Sequence, residues 1–187
     1  PIDKGIEICS IKLVEKTGGK SDFAHKFRRD LKAVVIVCSD TISAGQKEDK
    51  AGKAIIEKLE KCSVHVSDYI VIPDEQDIIR KKVLDYCEAG NDMVILTGGT
   101  GLSPRDVTPE ALKDLIQRDI PGITEYMRSY GQDRTPFSML SRSVAGLRGK
   151  TLILALPGST KGASESMDAL FPNVLHLFRI IGGGRHD

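Results

Sequence analysis

Short apolar segments alternate with segments of helical periodicity along most of this chain, and this alternation restricts its fold more than any other feature. Four segments have the composition of strands: KAVVIVCSD from residue 32, VHVSDYIVI from 64, MVILT from 93 and TLILAL from 151. The first is an almost continuous run of Ala, Val and Ile, which is typical of a strand covered on both faces.

Helical spacing of apolar residues fills the intervals between these strands. It predicts helices over about 51–59, 78–86, 104–117, 123–130 and 167–181. Pro172 lies within the last pattern, so that helix is either kinked or begins there. Strands that alternate with helices form βαβ units, and we therefore expect an α/β fold with a mainly parallel sheet and helices on both faces.

Three polar loops follow three of the predicted strands. They are CSDTISAGQKEDKAG after the first strand, TGGTGLSPRD after the third and LPGSTKG after the fourth. All three are rich in Gly, Ser, Thr or Asp. Because ligands of such folds bind outside the carboxyl ends of the strands, we expect the binding site to be built from these loops.

The second of these loops has the composition of a phosphate-binding turn. It contains three glycines and three hydroxyl residues, namely Gly98, Gly99, Gly101, Thr97, Thr100 and Ser103. Glycines allow main-chain N–H groups to close on an oxyanion, and a helix that begins near Pro104 would add partial positive charge. The alternative is a tight turn that binds nothing. The glycine spacing matches neither a Walker A loop nor a dinucleotide fingerprint.

Asp106 follows this loop directly. A carboxylate next to a phosphate is repelled unless a cation bridges the two, and Mg²⁺ is bound in this way by one or two carboxylates and substrate phosphates. The loop therefore predicts a nucleotide or another phosphate ester with Mg²⁺, with Asp106 as a metal ligand. The alternative role of Asp106 is to cap a helix. Asp40 and Asp74 lie at the ends of two other strands, and each could likewise face the binding site or cap a helix. Arg105 either pairs with phosphate or faces solvent.

Composition excludes several functional classes. A formal net charge of +1 produces no general attraction to nucleic acid or to an anionic membrane. No apolar run approaches the roughly 18 residues that span a bilayer, and no signal peptide opens the sequence, so we expect a cytoplasmic protein. The four cysteines form no Cys-x-x-Cys pair and the four histidines have no ligand spacing, which argues against zinc and for reduced thiols.

The longest motifs resemble the molybdopterin adenylyltransferase family, which includes the bacterial MogA and MoaB proteins, the G domains of gephyrin and the plant fusion protein of molybdenum cofactor synthesis. The resemblance covers roughly residues 30–181 in consistent order. The segments that carry it are CSDTISAGQKEDKAG, VIPDEQDII, TGGTGLSPRDVTPEAL, PFSMLSRSVAGLRG and LALPGSTKGASESMDALFPNVLH.

This resemblance implies a three-layer α/β/α sandwich that assembles as a homotrimer or a higher multiple. It implies transfer of AMP from Mg-ATP to the terminal phosphate of molybdopterin, with release of pyrophosphate and a molybdate-inserting enzyme as a later partner. The catalytic aspartates of the family match Asp74 and Asp106. The residues that match its binding stretches are Ser39, Asp40, Ser43, Gly98, Gly99, Thr100, Gly101, Ser103, Ser141, Arg142, Ser143, Pro157, Gly158 and Ser159. Two alternatives stay open: a molybdopterin-binding module with weak or no transferase activity, and an oligomerisation domain that binds no nucleotide.

Residues 1–29 differ from the rest of the chain. PIDKGIEICSIKLVEKTGGKSD resembles the C-terminal end of the cyclic pyranopterin monophosphate synthase (MoaC) family, and a short charged linker follows it. We therefore expect a synthase-like remnant with a linker over 1–29 and the adenylyltransferase-like domain over 30–187. The catalytic Asp and Lys of the synthase family would lie before Pro1, as expected for the C-terminal part of a fusion protein. The alternative is an unrelated N-terminal extension.

Overall fold

The computed structural model describes residues 30–183, which form a six-stranded sheet between two layers of helices. The strands are β1 (Lys32–Cys38), β2 (His65–Ile72), β3 (Met93–Thr97), β4 (Arg118–Asp119), β5 (Val144–Arg148) and β6 (Thr151–Leu156). Their order across the sheet is β2-β1-β3-β6-β5-β4. Strands β2, β1, β3 and β6 are parallel, while β5 and β4 continue the sheet in antiparallel pairing. The predicted α/β fold with a mainly parallel sheet is confirmed.

The helices are α1 (Asp40–Ser43), α2 (Ala51–Lys61), α3 (Gln76–Glu88), α4 (Thr108–Leu112), α5 (Pro121–Gln132), α6 (Thr160–Leu170) and α7 (His176–Ile181). Two 3₁₀ helices, Pro136–Leu140 and Asn173–Leu175, precede β5 and α7 respectively. Among residues 30–183, no helix is long and apolar enough to cross a membrane.

Alternate residues of the central strands supply two separate hydrophobic cores. Val35 and Ile95 face the core that contains residues of α2, α5, α6 and α7. Ile36 and Leu96, one position further along each strand, face the core beneath α3 and α4. Because side chains alternate across a strand, a strand that is apolar at every position can serve both cores, and this produces the three layers.

The predicted helix over residues 104–117 is wrong in its extent. Helix α4 covers Thr108–Leu112 alone, and Pro109 rather than Pro104 occupies its first turn. Residues 103–106 form a turn in which the N–H of Asp106 donates to the carbonyl of Ser103 at 2.9 Å. The apolar spacing correctly indicates the buried side of this segment, where Leu112 and Leu115 lie. Only five residues of the segment are helical.

The last predicted helix is divided into parts. Helix α6 ends at Leu170, and α7 begins at His176 after a 3₁₀ turn that Pro172 precedes. Strands β4 and β5 were not predicted, because β4 has only two residues and β5 carries Gly146 at its centre. A Cβ on Gly146 would lie 2.7 Å from the carbonyl oxygen of Arg118, so the close approach of β4 depends on that glycine.

Three of the cysteines lie in the described region, and Cys38, Cys62 and Cys87 are all free thiols. Burial raises the pKa of Cys38 to about 12, which leaves it unreactive at neutral pH. The reduced state of the thiols stays a prediction. Cys9 and the predictions for residues 1–29 lie outside the described residues.

Candidate active site at the carboxyl ends of the strands

Four loops meet at one edge of the sheet, because β1, β2, β3 and β6 are parallel and all end there. The N–H of Ser39 donates to the carbonyl of Ile72 at 2.9 Å and so joins the ends of β1 and β2. The N–H of Gly98 donates to the carbonyl of Leu156 at 3.3 Å and joins the ends of β3 and β6. The loops predicted to form the binding site are thus held side by side.

The glycine turn, residues 98–101, depends on glycine for its tight fold. The φ angles of Gly98 and Gly99 are +103° and +62°, in the region that favours glycine. A Cβ on Gly98 would lie 2.1 Å from the carbonyl oxygen of Cys38, and one on Gly99 would lie 2.4 Å from Oγ1 of Thr108. The Thr108 hydroxyl donates to the carbonyl of Gly98 at 2.9 Å and fixes the turn from below.

A cavity of about 210 Å³, here called the polar cavity, opens between these loops. Its lining residues are Val37, Cys38, Ser39, Ile42, Lys47, Asp49, Ala51, Asp74, Thr97, Gly98, Gly99, Asp106 and Gly158. Three of them are carboxylates, but Asp49 is already engaged, since it accepts from the N–H of Gly52 and the hydroxyl of Tyr69. Lys47 is the cation of this lining, and it forms no hydrogen bond or ion pair with any residue in the described part of the chain.

Asp74 lines this cavity, and one of its carboxylate oxygens has no hydrogen-bond partner among the described residues. The N–H of Asp40 donates to Oδ2 of Asp74 at 3.1 Å, and the N–H of Asp74 donates to Oδ1 of Asp40 at 3.0 Å. Oδ1 of Asp74 is buried and accepts no hydrogen bond from the residues between 30 and 183. Burial raises the pKa of the Asp74 carboxyl above its usual value, and the charges of Asp40 and Asp106 raise it further. An unsatisfied buried acceptor next to other carboxylates is suited to bind a cation or exchange a proton.

Asp106 faces the same cavity from the loop after β3. Its Oδ2 accepts from the N–H of Ser103 at 2.8 Å, so the carboxylate also closes its own turn. Within residues 30–183, no cluster of three or more His, Cys, Asp or Glu side chains is arranged to hold a metal ion. A cation here would therefore share its coordination between the two aspartates and a bound ligand.

The N–H groups of the glycine turn beyond Gly98 are available as donors. Those of Gly99, Thr100 and Gly101 donate no hydrogen bond to any other residue of the described region. The hydroxyl of Thr97, by contrast, donates to the carbonyl of Pro157 at 2.8 Å and serves the fold. The prediction that Thr97 adds a donor for ligand therefore receives no support, while the prediction for the main-chain groups stands.

A second cavity, of about 220 Å³, lies on the other side of the loop after β6 and is here called the serine cavity. Its lining residues are Met127, Arg128, Gly131, Thr135, Phe137, Ser138, Ser141, Ser143, Pro157, Ser159, Gly162, Glu165 and Ser166. Apolar surface comes from Met127, Phe137 and Pro157, and hydroxyls come mainly from serines. Residues 157–159, the PGS loop, separate the two cavities: Gly158 lines the polar cavity, whereas Pro157 and Ser159 line the serine cavity.

The predicted site residues fall into three groups. Those that line the polar cavity are Ser39, Asp74, Gly98, Gly99, Asp106 and Gly158. Those that line the serine cavity are Ser141, Ser143, Pro157 and Ser159. Those that line neither cavity are Asp40, Ser43, Thr100, Gly101, Ser103 and Arg142. The first two groups contain ten of the sixteen predicted residues, and the PGS loop contributes to both cavities.

Arg142 shapes the glycine turn from outside. Its N–H donates to the carbonyl of Thr100 at 2.9 Å, its Nε to that of Gly101 at 2.7 Å and its Nη2 to that of Asp106 at 2.6 Å. Its Nη1 forms an ion pair with Glu110. With these donors occupied, Arg142 supports the loop that carries Asp106 and does not line either cavity.

Several lining residues were not predicted from the sequence. Lys47 could have been found, because it is a basic residue within the polar loop after β1. Met127, Phe137 and Glu165 come from α5, the first 3₁₀ helix and α6. No local motif distinguishes them, since they meet only when those helices pack together.

Comparison with known proteins relates this chain to one family. The sequence profile described as "Probable molybdopterin binding domain" matches residues 34–176. A molybdopterin adenylyltransferase of Helicobacter pylori is 40% identical over 152 residues, which cover 80% of this chain and 86% of that protein. A molybdenum cofactor biosynthesis bifunctional protein of Chlorobaculum tepidum is 36% identical over 185 residues. The aligned part covers 99% of this chain but only 58% of that relative.

A solved structure shares the whole architecture. The crystal structure of the molybdopterin biosynthesis enzyme MoaB from Thermus thermophilus matches with a TM-score of 0.77 at 40% sequence identity. The match covers 84% of this chain and 99% of that one. The three-layer sandwich implied by the sequence motifs is therefore found in an experimental structure at substantial identity.

Proposed function

Because the chain belongs to the probable molybdopterin binding domain family, we propose that it is an enzyme of molybdenum cofactor biosynthesis that transfers AMP from ATP to the terminal phosphate of molybdopterin. The observation that carries this proposal is the pair of cavities on either side of the PGS loop. One offers unpaired carboxylate and N–H groups, and the other offers apolar and hydroxyl surface. A transferase with two large substrates needs two such adjoining sites, because holding both in position lowers the entropic barrier.

The polar cavity suits the phosphate groups of the substrates. The N–H of Gly99, which lines this cavity, has no partner among the described residues and can bind a phosphate oxygen. The N–H groups of Thr100 and Gly101 are also without a partner there, but these two residues lie next to the lining in the same turn and do not line the cavity. Lys47 adds a positive charge at the same cavity. The donors are fixed by the fold before any ligand arrives, so they need little reorganisation during the reaction.

The serine cavity suits a planar heterocycle, which both substrates carry. Phe137 and Met127 offer surfaces against which a ring can stack, and the serine hydroxyls can donate to or accept from its edge. Phe137 is 72% exposed, so it is free to pack against an entering ring. Glu165 adds a carboxylate that can accept from an amino group of the ring.

In the proposed reaction, an oxygen of the molybdopterin phosphate attacks the α-phosphorus of ATP. The bond from that phosphorus to the oxygen that bridges to the β-phosphate breaks, and pyrophosphate leaves with the electron pair. The protein contributes by orienting the two phosphates and by placing N–H donors where negative charge develops.

Mg²⁺ fits the residues of the polar cavity, because Oδ1 of Asp74 is a buried acceptor without a hydrogen-bond partner in the described region. Asp74 and Asp106 would hold the ion. When bound, Mg²⁺ supplies positive charge that neutralises the phosphates and the departing pyrophosphate.

A single-turnover experiment tests the proposal. Excess protein is mixed with purified molybdopterin, Mg²⁺ and ATP labelled at the α-phosphate, and the expected product is labelled adenylyl-molybdopterin together with pyrophosphate. Omission of Mg²⁺ with added chelator is the control. If the chain binds molybdopterin but transfers no label, it is a molybdopterin-binding module and not a transferase. If it binds neither substrate, the oligomerisation domain is supported.

Two wider predictions remain proposals. We propose that residues 1–29 correspond to the end of a synthase domain, supported by the alignment of a bifunctional relative over 99% of this chain. Two experiments test the proposal for residues 1–29. This chain should form no cyclic pyranopterin monophosphate in an assay, and the gene upstream of the Pro1 codon should encode a synthase-like sequence in the same reading frame. We also propose a homotrimer or a higher multiple of it, and light scattering during gel filtration can measure the mass of the assembly.

A further inference from the structure

Arg105 connects three of the loops that surround the polar cavity. Its Nε donates to Oδ2 of Asp40 at 3.0 Å and its Nη2 donates to Oδ1 of Asp40 at 3.0 Å. The same Nη2 reaches Oε1 of Glu75 at 3.0 Å. Arg105 belongs to the loop after β3, Asp40 to the loop after β1 and Glu75 to the loop after β2. One guanidinium therefore fixes the relative positions of these loops.

This ion pair contributes little to the stability of the fold. The side chains of Arg105 and Asp40 are 56% and 42% exposed. Exposed pairs gain modest Coulomb energy in water and lose side-chain entropy, so their net contribution to stability is small. The two-pronged contact of the Arg105 guanidinium with the Asp40 carboxylate therefore influences the geometry of the exposed loops more than the stability of the fold.

Asp40 passes this restraint on to Asp74. The Asp40 carboxylate accepts from the N–H of Asp74 while it binds Arg105, and the N–H of Asp40 donates to Oδ2 of Asp74. With Oδ2 held in this way, the other oxygen of Asp74 is left buried and without a partner in the described part of the chain. Arg105 does not line the polar cavity and has its donors directed at carboxylates.

We propose that Asp40 and Arg105 are positioning residues for the transfer reaction: Arg105 holds Asp40, and Asp40 holds Asp74 at the lining of the polar cavity. This inference rests on the proposed function and adds two residues that act without touching the substrate. Arg105 is thus neither a phosphate ligand nor an idle surface residue, the two roles that the sequence leaves open.

Kinetics of Arg105→Gln in two backgrounds test the inference. We expect the rate constant of AMP transfer to fall about tenfold with the KM for ATP changed less than about twofold, because a misplaced carboxylate slows the step and does not weaken binding. In the Asp74→Asn background, Arg105→Gln should cost less than about twofold, since residues that act through one another are not additive. A raised KM at unchanged rate, or the same tenfold loss in both backgrounds, would overturn the proposal.

A matched control and a structural measurement complete the test. Arg80 is also an exposed arginine in an ion pair, with Asp114 at 3.4 Å, but neither residue lines the polar cavity. Arg80→Gln should leave rate and melting temperature unchanged. In a crystal structure of Arg105→Gln, the hydrogen bonds between Asp40 and Asp74 should be broken or lengthened and the Asp74 carboxylate displaced. If both hydrogen bonds between Asp40 and Asp74 persist as in the wild type, the positioning role is refuted, and this holds whether or not the wild type transfers AMP.

Discussion

Asp74 and Asp106 face one cavity from two loops, and each is held through its Oδ2 by a main-chain N–H. Replacement by Asn keeps the size of each side chain and removes its charge. We expect Asp74→Asn and Asp106→Asn each to slow AMP transfer by at least about 100-fold at saturating Mg²⁺, because each change removes an anionic oxygen that would hold the cation beside the transferred phosphate. Single-turnover rates measure this, with circular dichroism as the control for folding. Near-normal turnover in either variant would remove that residue from the site.

Asp74→Asn should also make the ligand-free protein more stable at neutral pH. The pKa of Asp74 is raised in the folded state by burial and by neighbouring carboxylates, so ionisation of Asp74 destabilises the fold at high pH. This cost disappears as the pH falls towards the ordinary value of 3.8, where the carboxyl is protonated in both states. Melting temperatures in chelator should therefore favour the variant at pH 7 and converge in acid. A difference in melting temperature between variant and wild type that stays constant across pH would contradict a raised pKa of Asp74.

Lys47→Ala should weaken the binding of ATP about tenfold, as expected for loss of one charge-assisted contact to phosphate. Isothermal titration calorimetry measures the change. Lys53→Ala is a matched control, because Lys53 lies in the same region, pairs with Glu48 and does not line the polar cavity. Equal affinities in the two variants would show that Lys47 does not contact the ligand.

Gly99→Ala should destabilise the fold more than Gly90→Ala. Both glycines have positive φ, +62° and +78°, and Ala in this region costs about 1–2 kcal/mol. A methyl group on Gly90 meets nothing within 4 Å, whereas one on Gly99 would lie 2.4 Å from Oγ1 of Thr108 and 3.0 Å from Oδ1 of Asp74. We expect a further loss of about 1–3 kcal/mol from this crowding, as in other overpacked sites. Urea unfolding gives both values, and equal losses would mean that the turn has room for a methyl group.

Phe137→Trp should report ligand binding in the serine cavity. The chain contains no tryptophan, so the new side chain is the sole indole fluorophore. Stacking of a heterocycle on it should quench its emission in a saturable way. Tyr126→Trp is the control, since Tyr126 is 51% exposed and does not line that cavity. Quenching in both variants alike would reflect collision in solution and not binding.

The central strands and the place of the site could be predicted, because both follow from local sequence. Continuous apolar runs such as Val34–Val37 identify strands with two buried faces. Parallel strands then bring the following loops to one edge, so the sequence predicts Asp74 and Asp106 at the same edge of the sheet. The family resemblance places Arg142 and Asp40 in binding stretches, and a contact of either residue with ligand stays a prediction. In the structure, the side chain of Arg142 contacts main-chain carbonyls and that of Asp40 contacts Arg105.

Features that depend on packing between distant segments could not be predicted. The turn at Ser103 is closed by the Asp106 carboxylate, so helix α4 begins four residues later than Pro104 suggested. The serine cavity combines α5, a 3₁₀ helix and α6, whose lining residues are far apart in sequence and have no shared motif. Apolar periodicity records which side of a segment is buried, and it does not record where a helix begins.

The PGS loop has a thermodynamic consequence. Three consecutive residues form a wall between the cavities, and a Cβ on Gly158 would lie 3.0 Å from Cα of Gly98, so this wall is pressed against the glycine turn. A molecule that displaces the wall from one side changes the space available on the other. Where the two cavities are coupled in this way, linkage requires each ligand to change the affinity for the other by the same factor, whichever binds first.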